Sequence, residues 1–152
     1  MSELAKFQEK FRIPALNIKT YRHWIWSLRP TQSTLGACVI SARRETPHFS
    51  GMTTEECAEL ATIVKDVENG IKAAFTYDKI NYLMLMMVDP HVHFHVLPRY
   101  ATAREFAGTT WHDKNWPKPP DILGPDLTAD QAAAMLKELG AGEDSGCQAE
   151  DF

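Results

Sequence analysis

The chain has 152 residues, of which 44% are hydrophobic and 24% charged, and its formal net charge at pH 7 is -4. This length and composition predict one globular domain with a hydrophobic core, and they exclude a wholly disordered or fibrous protein. The acidic balance argues against general binding to nucleic acid polymers, because such binding depends on many Lys and Arg side chains that neutralise phosphates.

Two further features of the sequence indicate a cytoplasmic protein. The chain has three cysteines, an odd number without metal-ligand spacing, which argues against a disulfide framework. No stretch approaches the roughly 20 apolar residues of a membrane span, and the start MSELAKFQEK is too charged for a secretory signal. We therefore expect no membrane partner.

The N-terminal part of the chain predicts a short helix followed by a β-hairpin. Apolar residues recur at helical spacing over residues 2–11, with charged residues on the other face. The aromatic and β-branched run 20–28 predicts a strand. A polar turn over 29–34 then leads to a second strand over 35–40.

The clearest helix begins at Thr53, where Glu56 provides the partner of a capping box, and runs to near Phe75. One apolar stripe marks the face expected to pack on the sheet. The residues of this stripe are Cys57, Leu60, Ala61, Val64, Val67 and Ile71.

Two apolar segments then predict an antiparallel hairpin. They span residues 80–87 and 91–97, and only residues 88–90 separate them. The first segment contains three methionines, which we expect in the core or in a subunit interface. These methionines are Met84, Met86 and Met87.

The C-terminal part of the chain predicts a long loop and a last helix. A Pro-rich and Trp-rich stretch follows Tyr100 and is typical of a loop that lies over the domain, with Trp111 and Trp116 buried against it. A second capping box, formed by Thr128 and Gln131, begins a short helix.

The domain organisation follows from these elements. We expect one α+β domain over residues 1–140, with a core over about 20–100 and a C-terminal loop and helix over 101–140. Residues 141–152 are acidic and poor in apolar residues, so we expect this tail to be disordered.

Three of the six histidines lie in the run His91-Val92-His93-Phe94-His95. A strand sends alternate side chains to opposite faces, so the three imidazoles should share one face while Val92 and Phe94 point into the core. Two alternatives to a catalytic role remain open. The row could be a solvated strand face, or it could bind zinc through neutral imidazoles. The distant histidines His23, His48 and His112 would be candidates for a further zinc ligand.

The alternation resembles the histidine-triad (HIT) family, in which three histidines alternate with apolar residues. The apolar positions of that pattern are occupied by Val92, Phe94, Val96 and Leu97. The following Pro98-Arg99 resembles the dinucleoside polyphosphate hydrolase branch, which includes the fragile histidine triad proteins. The resemblance extends from about Trp24 to Tyr100.

The resemblance implies an antiparallel sheet of about five strands with one long helix, and a homodimer that joins two sheets. It also implies cleavage of a nucleoside phosphoanhydride or phosphoramidate, for example a diadenosine polyphosphate, through a covalent nucleotidyl-histidine. His93 would be the nucleophile, with a backbone carbonyl setting its tautomer. His91 and His95 would donate hydrogen bonds to the phosphate and assist the leaving group. No cofactor is required, although Mg²⁺ could accompany the substrate phosphates.

Three positions depart from the family pattern. Arg29, Ala37 and Met87 stand where relatives usually carry polar residues that hold the ribose or the phosphates. We therefore expect Arg29 and Arg99 to bind the substrate phosphates, since guanidinium groups match phosphate oxygens, and Gln32, in the same turn as Arg29, to contact the ribose. The same departures leave open a nucleotide-binding module with little or no catalysis.

Overall fold

A five-stranded antiparallel sheet carries the core, in a computed structural model that describes residues 1–142. The strand order is β1-β2-β3-β5-β4, and a separate two-stranded hairpin, β6-β7, follows in the chain. The tail expected to be disordered lies outside the described residues from position 143 onward. In chain order the elements are α1 (Glu3–Lys10), β1 (Asn17–Thr20), β2 (Trp24–Leu28), β3 (Cys38–Ala42), α2 (Thr54–Phe75), β4 (Lys79–Leu83), β5 (His93–Arg99), β6 (Arg104–Phe106), β7 (Thr109–Trp111) and α3 (Ala129–Glu138).

The sheet separates two hydrophobic clusters. On one face Val96 of β5 packs with Val67 and other residues of α2. On the opposite face Phe7 of α1 and Phe11, which ends that helix, pack against Val39 of β3. The α+β architecture is the expected one, and the placement of α1 leaves the histidine face of β5 beneath the N-terminal helix.

Helix α2 begins with the predicted capping box between Thr53 and Glu56. Its buried stripe is rotated from the predicted one, because Cys57 and Ala61 are exposed. The indole of Trp24 donates to the backbone carbonyl of Glu56 at 2.9 Å, which ties the first turn of the helix to the sheet and sets its rotation. The buried residues are Glu56, Ile63, Val67, Ile71 and Phe75.

The single strand predicted over 20–28 is instead two strands, β1 and β2. The chain reverses at residues 21–23, where the carboxylate of Glu59 accepts from the backbone N–H of Arg22 at 3.2 Å and of His23 at 2.8 Å. These two bonds come from the distant helix α2, so the aromatic run alone did not reveal the turn.

The hairpin predicted from 80–97 exists, because β4 pairs antiparallel with β5, but both strands are shorter at the turn than expected. Residues 84–92 form a loop. Its end is attached to β3 instead of β4, through bonds from the Ala42 N–H to the Val92 carbonyl and from the Val92 N–H to the Thr46 carbonyl. Met87 is consequently 86% exposed and lies outside the core, so of its two expected places only a subunit interface stays a prediction.

The C-terminal part of the chain carries more structure than the predicted loop. Strands β6 and β7 are only three residues each, around a tight turn in which Gly108 has φ +74°. Such short strands leave no clear period-two pattern. Helix α3 has the predicted capping box between Thr128 and Gln131. Trp111 is buried as expected, whereas Trp116 is only partly buried. Among residues 1–142, no helix is long and apolar enough to cross a membrane.

A buried ion pair attaches this part of the chain to the sheet. Arg99 of β5 bonds both carboxylate oxygens of Asp113, at 2.6 and 3.2 Å, and both side chains are almost fully buried. The same guanidinium donates to the Asn81 side chain at 2.8 Å and to the Lys118 carbonyl at 2.7 Å. Four N–H groups of the guanidinium thus form bonds within the fold.

Replacing Asp113 with Asn should destabilise the protein by about 3 kcal/mol or more, because it leaves the Arg99 charge buried and unpaired. The free energy of unfolding, measured by urea denaturation, checks this prediction. Glu105→Gln, at an exposed acid in β6, is the control and should change that free energy by less than about 0.5 kcal/mol. Equal stability of the Asp113 variant and the wild type would contradict the assigned role.

Candidate active site

The three histidines of the predicted row are buried, with exposed fractions of 1% for His91, 2% for His93 and 5% for His95. Phe7 of α1 contacts the rings of His91 and His93, with centroids 5.1 and 4.9 Å apart. Phe11 contacts His93 and His95 at 5.9 and 6.1 Å. This burial rules out the solvated strand face as an explanation of the row.

His93 is held in one tautomer by the backbone. Its Nδ1 lies 2.5 Å from the carbonyl oxygen of His91. A carbonyl oxygen only accepts, so Nδ1 carries the proton and Nε2 keeps its lone pair. Nε2 has no hydrogen-bond partner among residues 1–142, and His93 lines a cavity. This is the arrangement that a nucleophilic imidazole requires.

His91 has a different position from the one predicted. Its Nε2 donates to the Ala42 carbonyl at 2.7 Å, and its Nδ1 faces the Thr46 N–H at 3.5 Å. Both ring nitrogens are therefore directed at the backbone, and His91 is not among the residues that line the cavity. The expectation that His91 donates to a phosphate needs correction: this residue positions His93, through its own carbonyl.

His95 lies beside His93, with ring centroids 4.9 Å apart in an edge-to-face arrangement. Its Nδ1 is buried without a hydrogen-bond partner in the described part of the chain. Because His95 also lines the cavity, Nε2 is the ring nitrogen available to a ligand. Burial, followed by the nearby charge of Arg29, lowers the pKa of His95 to about 3, so this imidazole is neutral at pH 7.

The pKa values of the other two imidazoles are also lowered, chiefly by burial. For His93 the bond to the His91 carbonyl and the charge of Asp89 offset part of this decrease. The whole row is consequently neutral near pH 7, as nucleophilic attack requires.

The cavity beside His93 and His95 has a volume of about 520 Å³. The buried polar residues of its lining are His93, His95 and Arg29, and Met87, which is 86% exposed, lies at the mouth. The other lining residues are Lys10, Phe11, Arg12, Arg29, Pro30, Thr31, Leu85, Met86, Val88, Asp89, Ile122, Leu123, Gly124 and Asp126.

Arg29 is the predicted substrate-binding residue that the structure brings to the triad. It is 7% exposed, and its Nη1 donates to the carbonyls of Ile122 at 2.6 Å and Thr31 at 3.2 Å. Its Nε is buried without a partner, and no carboxylate of residues 1–142 forms an ion pair with it. Burial lowers the pKa of Arg29, and the charge of Asp89 partly offsets this effect. A buried cation without an ion-pair partner favours an anionic ligand.

The other two predicted substrate-binding residues have structural roles. The amide of Gln32 donates to the carbonyls of Arg29 and Ala37, and accepts from the N–H groups of Gly36 and Ala37. These four bonds use its full capacity inside the turn. Arg99 is engaged by Asp113 and does not line the cavity. For both residues we correct the prediction.

Sequence reasoning missed one wall of the cavity. Residues 122–126 run beside the turn that carries Arg29, through bonds from the Gln32 N–H to the Pro125 carbonyl and from the Leu127 N–H to the Pro30 carbonyl. At Gly124 a Cβ atom would lie 2.3 Å from the Gln32 carbonyl oxygen, so only glycine allows this approach. In the sequence, the isolated Gly124 between Leu123 and Pro125 was the one feature that could have indicated this close approach of two backbone segments.

The histidine row does not form a metal site in the described residues. No group of three or more His, Cys, Asp or Glu side chains within residues 1–142 is arranged to hold a metal ion. The distant ligands proposed for the zinc alternative, His23, His48 and His112, do not line the cavity. The geometry therefore gives the zinc alternative no support.

The neutral His95 should make stability depend on pH. Its pKa is 6.5 when exposed and about 3 in the folded protein, so the unfolded chain binds the proton more readily. The contribution of the neutral His95 side chain to the free energy of unfolding is fully present above about pH 6.5 and is lost as the pH falls toward 3. Urea denaturation should show His95→Gln losing less stability than the wild type between pH 7 and pH 4.5. Parallel pH profiles of the two proteins would contradict this.

Comparison with known proteins shows what this domain is similar to. A HIT domain model matches residues 30–102, whereas no curated protein matches the chain. A hypothetical histidine triad nucleotide-binding protein from Sulfolobus tokodaii has a similar structure, with a TM-score of 0.68 at 16% identity over 92% of this chain and 89% of that one. A histidine triad protein from Marinobacter aquaeolei gives 0.66 at 20% identity, over 84% and 89%.

A zinc-bound histidine triad family protein from Mycobacterium smegmatis is also similar, with a TM-score of 0.61 at 15% identity over 90% of each chain. At these identities the structural likeness establishes the fold. Together with the domain match over residues 30–102, it shows that this chain has the HIT-like α+β fold.

Proposed function

We propose that this protein is a nucleotide hydrolase or transferase that cleaves a nucleoside phosphoanhydride or phosphoramidate through a covalent intermediate on His93. One observation carries the proposal: the Nδ1 proton of His93 is bound by a carbonyl while Nε2 is unpartnered in a cavity that also contains Arg29. A nucleophile and a buried cation in one cavity suit attack on a phosphate.

The first step is displacement at the α-phosphorus. The Nε2 lone pair of His93 forms a P–N bond, and the bond from phosphorus to the leaving group breaks, with its electron pair departing on the leaving group. The His93 ring then carries a positive charge, which the His91 carbonyl stabilises through the Nδ1 proton. In the second step a water oxygen attacks phosphorus and loses a proton to solvent. The P–N bond breaks, and the electron pair returns to Nε2.

Arg29 would stabilise the negative charge on the phosphate oxygens. Its Nη1 is held by two carbonyls, so the guanidinium is already oriented before substrate arrives. A donor fixed in advance costs little reorganisation during the reaction. His95 would donate its Nε2 proton as a hydrogen bond to an oxygen of the same phosphate.

The low pKa of His95 favours one substrate class. A neutral imidazole with a pKa of about 3 is a hydrogen-bond donor and a poor general acid at pH 7. Departure of an amine needs a proton, whereas a phosphate leaving group departs as an anion. Phosphoanhydrides, such as a diadenosine polyphosphate, are therefore our preferred substrates. The apolar walls of the cavity would receive the base.

A second candidate is a nucleotide-binding module without turnover. The observation in its favour is the environment of the triad: Met87 lies at the mouth of the cavity, Ala37 is fully buried, and Gln32 is used inside the turn. Few polar side chains then remain to orient a substrate.

Three further expectations stay predictions. They are dimerisation, for which β4 at the open edge of the sheet is available, Mg²⁺ bound with the substrate, and the cytoplasmic location.

Purified protein should release AMP from diadenosine polyphosphates, and His93→Ala should abolish the release because the variant lacks the attacking atom. AMP is measured by chromatography over a time course, with circular dichroism to verify folding. Undiminished turnover by a folded His93 variant would overturn the mechanism. Nucleotide binding by calorimetry without any turnover by the wild type would favour the binding module.

Arg29→Met should lower kcat/KM by about 100-fold, which is typical for loss of one fixed donor to a developing oxyanion. Arg22→Met is the matched control, because Arg22 is an exposed residue outside the cavity. Equal kcat/KM values for the two variants would show that Arg29 has no special role in the reaction.

A further inference from the structure

Helix α1 ends in a conformation that usually requires glycine. The N–H of Ile13 bonds the Gln8 carbonyl at 2.8 Å, and the N–H of Arg12 bonds the Glu9 carbonyl at 3.2 Å. These two bonds form the Schellman motif, in which the residue after the helix cap is left-handed. Arg12 is that residue, with φ +55°. A side chain at this position is unfavourable compared with glycine.

The left-handed backbone alone indicates only the end of a helix, since Thr76 ends α2 with φ +52°. What distinguishes Arg12 is its side chain. It is exposed, lines the cavity that contains His93, and forms no hydrogen bond or ion pair with any of residues 1–142. A strained residue with an unpaired charge beside a nucleophile indicates a function for that charge.

Among the cations that line the cavity, Arg12 is available to bind a ligand at the mouth of the cavity. Lys10 lines the same cavity, but its Nζ bonds both carboxylate oxygens of Asp89, at 2.8 and 2.9 Å. Arg29 is buried deeper, where it is held by carbonyls of its own turn and of residues 122–126. The remaining carboxylate of the lining, Asp126, forms no ion pair within the described chain.

We propose that Arg12 binds the phosphates of the leaving group, beyond the phosphate attacked by His93, so that the site selects nucleotides with two or more consecutive phosphates. This inference rests on the proposed function for the identity of the ligand. Arg29 would hold the phosphate that His93 attacks. Arg12 would hold the next phosphate of the substrate. Guanidinium groups suit this task because they bind two phosphate oxygens at once.

Two variants separate binding from folding. Arg12→Gly removes the charge and supplies the residue that the backbone prefers, so its Tm should equal or exceed that of the wild type. Arg12→Gln removes the charge and keeps a side chain. Arg22→Gln is the control, since it removes an exposed positive charge outside the cavity.

The measurement is calorimetric binding of AMP and of α,β-methylene-ADP, which carries one more phosphate and resists cleavage between the two. In the wild type the methylene analogue should bind more tightly than AMP. The ratio of the two Kd values should fall by about fivefold in both Arg12 variants, as expected for one charge-assisted contact, and should be unchanged in Arg22→Gln.

The outcomes separate this inference from the proposed function. Equal Kd ratios in the wild type and the Arg12 variants, or a wild type that binds the methylene analogue no more tightly than AMP, would overturn the role of Arg12. If the Kd ratios are as expected but no turnover depends on His93, the role of Arg12 stands and the proposed hydrolysis is contradicted.

Discussion

The hydrogen bond from His93 Nδ1 to the His91 carbonyl is the constraint on which the site depends. The acceptor is the backbone carbonyl two residues before His93, at the end of the loop that leads into β5, and it fixes which nitrogen of the central ring is free. In the proposed reaction the ring would become positively charged, and this carbonyl would then accept a stronger bond. His91 is itself held by the backbone at Ala42, which keeps the acceptor from moving.

The cavity beside His93 and His95 is built from distant parts of the chain. Helix α1 places Phe7 and Phe11 on the imidazoles, and residues 122–126 supply a wall and a carbonyl that holds Arg29. Both parts exclude water from the triad, and this burial keeps the imidazoles neutral. The ion pair between Arg99 and Asp113 and the amide of Gln32 stabilise this assembly from outside the cavity.

Local patterns were enough to predict the elements that carry the histidines. Strand alternation placed the three rings on one face, and the capping boxes at Thr53 and Thr128 located the starts of two helices. The roles of Gln32 and Arg99 were wrong because a side chain's partners are not a local property. The sequence around Arg99 is typical of a phosphate ligand, but in the structure its guanidinium forms an ion pair with Asp113. Arg29 is oriented by the carbonyl of Ile122, 93 residues away.

The environments of Met87 and Ala37 likewise depend on distant contacts. The loop over residues 84–92 is attached to β3, so Met87 projects at the mouth of the cavity, whereas Ala37 is enclosed in the turn held by Gln32. Neither environment could be read from the strand pattern. In the proposed reaction, substrate contacts would therefore come from Arg29 and from residues outside the triad strand.

The most direct test of the account is to trap the covalent intermediate. Protein mixed with a diadenosine polyphosphate and quenched within milliseconds at alkaline pH, where a phosphorus–nitrogen bond to histidine survives, is digested and analysed by mass spectrometry. We expect an adenylyl group on Nε2 of His93, formed and lost at rates that match AMP release. An adduct on His95, or AMP release at the full rate with His93 never modified, would contradict it.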